Sequence, residues 1–200
     1  MADLNTRPPP PYRRQQFAIS FLAFSLLFAF SILFALAQPD PTFFRTHALA
    51  WSSALLVTPA LYIFVRRYGR APLTHWWRLF WTFAWAMIAV HLIWGLGLEH
   101  DWRPLTVFER QGFFVAFPIF LLQGLWLIDI AMSWTRIDWA WSTGVYKYWQ
   151  GFMAVFVFAN FFVAMVIFRN DTESLVIGLL QTAVVIGAFL LRWNEREQSL

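Results

Sequence analysis

Six apolar runs, at residues 17–37, 46–65, 76–98, 113–134, 150–168 and 174–193, constrain this chain more than any other feature. Each is close to the roughly 20 residues an α-helix needs to cross about 30 Å of hydrocarbon. Inside lipid a spanning segment must satisfy its own backbone hydrogen bonds, so such runs are helical. The charge content agrees. Only 13 % of residues are Asp, Glu, Lys or Arg, about half the usual share for a soluble domain, which is too few to cover a soluble surface. The runs predict an all-α polytopic membrane protein, a six-transmembrane-helix bundle over residues 17–193. A polar, Pro-rich tail (1–16, with Pro8 to Pro11) precedes it, and a short polar tail (194–200) follows. The first run resembles a signal peptide in having Arg13-Arg14 before it and Ala35-Leu36-Ala37 at its end. Its 21 residues exceed the 7–15 of a signal-peptide apolar region, so we read it as a retained helix.

The distribution of positive charge orients the bundle. One side collects Arg7, Arg13, Arg14, Arg66, Arg67, Arg70, Arg78, Arg136, Lys147, Arg192 and Arg196. The other collects Arg45, Arg103, Arg110 and Arg169, and the two sets together make up all 15 Lys and Arg. The richer side is expected to be cytoplasmic, which puts both termini inside a cell inner (plasma) membrane. Asp40, Glu99, Asp101, Glu109, Asp171 and Glu173 fall on the poorer side. Tryptophans near the run ends read as interfacial belts, with Trp76, Trp77, Trp134, Trp139, Trp141, Trp149 and Trp193 on the basic side and Trp51, Trp94 and Trp102 on the acidic side. Segment 135–149 reads as an amphipathic connector along the basic surface.

Several classes of function are excluded or unsupported. The arginines sit in short loops between apolar runs, so the net charge of +4 reflects membrane topology and no nucleic-acid partner is expected. With no cysteine there are no disulfides, iron–sulfur clusters or thiolate chemistry. Phosphate-cradling glycine loops, nucleophile elbows, zinc motifs, internal repeats and paired broken helices are all absent from the sequence.

Chemistry, if any, must come from polar groups within the runs, where each is costly. His91, about seven residues from the acidic end of the third run, can ligate haem or a chlorin, relay protons, or simply bond a neighbouring helix. Asp129, in the basic third of the fourth run, is expected to form a structural ion pair with Arg78, a proton relay being the alternative. Gln123, Asn160 and Gln181 are expected to glue helices together. His47, His91 and the Glu99-His100-Asp101 triplet gather on the acidic side. Their spacing matches no defined metal site, and the triplet reads as a solvated loop.

Two pairs of residues carry a resemblance to a known family. Arg45-Thr46 precedes Thr58-Pro59, within Leu55-Leu56-Val57-Thr58-Pro59, by thirteen residues. Arg78-Leu79 precedes His91-Leu92 by the same interval. Over residues 45–92 the chain resembles the ferric-reductase-like transmembrane domain, in particular the haem-binding membrane subunit of the bacterial methionine sulfoxide reductase system (MsrQ/YedZ type). That resemblance implies six helices, cytoplasmic termini and His91 as a haem ligand. It also implies histidines on the fifth run, where this chain has Gln150 in Tyr148-Trp149-Gln150-Gly151 and no histidine at all. The family's usual haem site is therefore expected to be broken, leaving His47 and His91 as possible haem or pigment ligands. His75 lies sixteen residues from His91, about 24 Å along a helix, too far to share a metal.

Two functions are expected from this. In the first, the chain is a non-catalytic accessory or structural subunit of a redox, photosynthetic or respiratory membrane complex, packed against lipid, other membrane subunits, and a quinone or pigment. In the second, it is a haem b electron-transfer subunit taking electrons from quinol or a flavoprotein.

Overall fold

A computed structural model describes residues 11–141, 143–168 and 171–197, with the side chains of 196 and 197 excepted. Most of the Pro-rich tail, including Arg7, lies outside the described residues, as do Arg169 and the last three residues.

The chain forms α1 (Arg14–Leu36), α2 (Pro41–Arg67), α3 (His75–Trp94), α4 (Pro104–Gln111), α5 (Phe113–Thr135), α6 (Gly144–Phe162) and α7 (Thr172–Glu197). Short π-helical turns prolong α3 (Gly95–Glu99) and α6 (Val163–Ile167). Six of these helices are long and apolar enough to cross a membrane, α4 being the short exception. The protein is thus an all-helical, multi-pass membrane protein. The six long helices follow the six runs, and the even count puts the start of α1 and the end of α7 on one face.

Helix ends extend past the hydrocarbon-length runs for local reasons. Pro41 begins α2 at a position where its missing N–H costs nothing, and Asp40 Oδ1 accepts the Phe43 N–H at 3.1 Å. Gly112, at φ 79° and ψ 158°, separates α4 from α5 with a single residue, a backbone conformation essentially reserved for glycine. The 135–149 segment differs from its expected form. Residues 137–141 form turns and α6 begins at Gly144. Trp139 and Ala140 of these turns are buried, because Ala140 O accepts the Leu73 N–H and Trp139 stacks on Trp77.

α2 is the central helix. Some 61 % of its apolar window is buried, against 17–33 % for the other five long helices. Its interior side mixes large residues with small ones, and Ala48, Ser52, Ser53, Ala54 and Ala60 are each at most 1 % exposed. Small residues allow close helix approach, and close approach brings interhelical hydrogen bonds. Ser31 Oγ on α1 lies 2.7 Å from Ser52 Oγ and donates to Ala48 O or Leu27 O; Ser53 Oγ donates to Ala84 O on α3. Gln181 on α7 donates to Ala54 O, one turn before Pro59, and is the one expected amide glue that holds.

The basic face has its own logic. Helices α2 and α5 end there, leaving C-terminal carbonyls that lack helical partners and carry the negative end of the helix dipole. Arg192 donates to Val65 O and Tyr68 O at the end of α2, and Arg78 donates to Ser133 O at the end of α5. The tryptophan belts are only partly as expected. Trp134, Trp193 and Trp102 are well exposed, whereas Trp51, Trp77 and Trp139 are at most 4 % exposed and pack inside the bundle. Position along a helix sets depth in the bilayer, but rotation about the axis decides whether an indole meets lipid or protein.

Candidate functional site

At the basic end the α5–α6 hairpin packs tightly on α2 and α3. Trp77, Trp81 and Trp126 fill the space with almost no exposure, with Trp81 and Trp126 rings 4.9 Å apart. Toward the acidic end the helices part. A half-open cavity of about 700 Å³ lies there between α2 and α3 on one wall and α5, α6 and its π turn on the other, with the start of α7 alongside. Most of the lining is apolar, including Trp51, Ile88, Phe114, Ile119 and Leu122. A π turn widens a helix locally and is frequent at functional sites; here Val163, Ala164 and Met165 of the α6 π turn line the cavity.

Four of the residues singled out in the sequence meet in this cavity: His47, His91, Gln123 and Asn160. The two histidines come from adjoining helices. His91 Nδ1 lies 2.7 Å from Thr46 O, and His47 Nδ1 lies 2.9 Å from Phe43 O. A carbonyl only accepts, so both Nδ1 atoms carry the proton and both Nε2 atoms present a bare lone pair. Such anchoring fixes an imidazole's tautomer and ring orientation. Neither Nε2 is buried without a partner, and among the described residues neither makes a hydrogen bond. Both lone pairs therefore remain accessible.

The facing wall carries amides. Asn160 Nδ2 donates to Phe156 O, one turn back on its own helix, at 2.9 Å. Gln123 is only 9 % exposed, and both its Nε2 and its Oε1 are buried without a partner. Neither side chain bonds a neighbouring helix, contrary to expectation: Asn160 bonds back along its own helix, and the Gln123 amide is enclosed without a partner. A buried amide left unsatisfied costs roughly 1–3 kcal/mol per group. Beyond these, Trp51 Nε1 donates to Ser174 Oγ, which donates to Asp171.

The remaining candidates lie elsewhere. Asp129 is fully buried and Trp81 Nε1 donates to its Oδ2 at 2.8 Å. The expected Asp129–Arg78 ion pair does not form. Antiparallel packing of α3 on α5 sets Trp81 against Asp129 and Arg78 against Ser133, one turn nearer the basic face. The Arg78 guanidinium instead lies 4.0 Å from the Trp134 ring centre and 4.3 Å from that of Trp139, with His75 Nδ1 accepting from it. His100 is turned away from the cavity histidines toward Thr106, and among the described residues no three His, Asp or Glu side chains converge as a metal site.

Bis-histidine haem does not suit these residues. Axial ligation from two sides requires imidazoles on facing walls. Here His47 and His91 share one wall, and the opposite wall supplies only amides. Gln150, at the position where the resemblance implies a histidine, is 2 % exposed at the packed basic end and donates to Trp139 O. No protein-family model, curated protein or solved structure matches this chain.

Proposed function

We propose that this protein is a non-catalytic accessory subunit of the cell inner membrane. On this reading it is built on a ferric-reductase-like six-helix scaffold with both termini cytoplasmic. It holds a lipid-soluble small molecule of quinone or pigment size in the cavity on its acidic face and works beside other membrane subunits. The observation that carries this reading is the cavity itself, a largely apolar space lined by two imidazoles and the Asn160 amide. Pockets for small molecules have this make-up, an apolar lining with a few convergent polar groups. The thirteen-residue Arg45–Thr58 and Arg78–His91 spacings support the scaffold.

The test is to purify the protein in mild detergent, extract it with organic solvent and identify what co-purifies by mass spectrometry. Ala50→Phe, which fills the cavity from α2, serves as the control. One small molecule per chain is expected in the wild type and should be lost in a monodisperse Ala50→Phe variant. Well-folded wild type that carries bulk lipid alone, with no change in the variant, would sink the reading. A reduced-minus-oxidised haem spectrum abolished by His91→Ala would replace it with the electron-transfer reading.

A further inference from the structure

The polar inventory of the cavity says what kind of molecule fits. We infer that the ligand is uncharged and carries a hydroxyl group, which donates a hydrogen bond to an imidazole lone pair on the α2–α3 wall while the Asn160 amide donates from the facing wall. This rests on the cavity being a ligand site and adds the chemistry of its occupant.

Three observations carry the inference. First, the cavity offers bare acceptors as well as donors. His47 Nε2 and His91 Nε2 are bare because their Nδ1 protons are already spent on Phe43 O and Thr46 O. Asn160 has committed an amide proton to Phe156 O, which leaves its carbonyl oxygen free to accept. Beside these stand the second amide proton of Asn160 and the Gln111 amide at the rim. A molecule with carbonyl acceptors alone would leave both imidazoles unpaired, and an unpaired buried acceptor costs binding. A hydroxyl both donates and accepts, so it answers an imidazole and an amide together.

Second, among the described lining residues there is no Lys or Arg, and the one carboxylate, Asp171, already accepts from Ser174 N and Ser174 Oγ. A phosphate headgroup or an ionised acid would find no Lys or Arg among these described residues, and the apolar walls favour an uncharged occupant. Third, the acceptors are pre-organised. The His91–Thr46 bond joins α3 to α2 at the cavity wall, so the imidazole is held before any ligand arrives.

The experiment compares a long-chain alkylphenol with its methyl ether, a pair of near-equal shape in which only the first donates. Binding to the full chain in nanodiscs is measured by equilibrium dialysis, with empty nanodiscs correcting for partition. One hydrogen bond gained or lost predicts about a tenfold preference for the phenol. His47→Phe is a fold-neutral variant, since its Nδ1 bond stays within its own helix. His91→Phe gives up the α2–α3 bond and is scored only where the protein remains monodisperse. Replacing the acceptor should bring the two ligands to near-equal affinity, whereas Asn160→Leu should weaken both alike. Tight, equal binding of phenol and ether overturns the hydroxyl inference and leaves the cavity reading standing. A phenol preference that survives the loss of both imidazoles overturns their role as acceptors. Failure of either compound to bind well-folded protein overturns the ligand site itself.

Discussion

The Trp81–Asp129 contact gives the sharpest test of the packing. Asp129 is fully buried, its Oδ2 accepts the Trp81 indole proton at 2.8 Å, and Oδ1 has no partner. Asp129→Leu would remove a polar group but orphan the Trp81 N–H, at a cost of roughly 1–3 kcal/mol. Asp129→Asn keeps a carbonyl oxygen for the same indole and should cost less. Trp81→Phe adds a packing loss, so single variants do not isolate the bond and a double-mutant cycle is required. Hydrogen bonds between membrane helices average about 0.6 kcal/mol and reach about 1.7, and an acidic acceptor favours the upper end. The Trp81→Phe/Asp129→Leu cycle, read by equilibrium unfolding in mixed micelles, should therefore give a coupling of about 1–2 kcal/mol. A parallel cycle, Arg78→Gln with Asp129→Leu, should fall within about 0.5 kcal/mol of additivity, because Arg78 bonds Ser133 O and His75 and makes no ion pair with Asp129. If the Arg78 cycle shows the larger coupling, the ion pair expected from sequence holds after all and the helix register described here is wrong.

Two further outcomes follow from the loops. Arg136 grips both Asp138 oxygens, at 2.9 and 2.8 Å, and holds that carboxyl below the ordinary carboxylate range, with burial opposing and Thr143 assisting. The stabilisation is complete above the unfolded value of about 4 and disappears as pH falls through the lower folded value. The Tm gap between wild type and Asp138→Asn should accordingly close in acid; a pair this exposed is worth roughly 0.2–1 kcal/mol, so a gap that widens in acid would contradict the assignment. Gly112→Ala places a Cβ in open space at φ 79°, so its cost of roughly 1–3 kcal/mol is backbone strain alone. Thermal unfolding indistinguishable from wild type would show that the α4–α5 junction relaxes.

The sequence by itself determined the number and order of the spans and the shared face of α1's start and α7's end, because transfer of a segment into lipid depends on its own length and polarity. It also flagged the ionisable and amide side chains within the runs, though not the serines that join α2 to its neighbours. Contacts between helices were beyond its reach, because they depend on the rotation and tilt of each helix, which packing sets and hydropathy does not register. Gln123, Asn160 and Gln181 read alike in the chain, yet only Gln181 bridges helices while the other two line a cavity. Arg78 and Asp129 looked like partners at similar depth, and a single turn of register gave each a different one. His47 and His91 were visible as candidates, but their common wall, anchored Nδ1 protons and accessible lone pairs exist only where α2 meets α3. The six runs with which the sequence begins thus fix what the chain spans. The parting of α5 and α6 from α2 and α3, a tertiary feature, decides what it can hold.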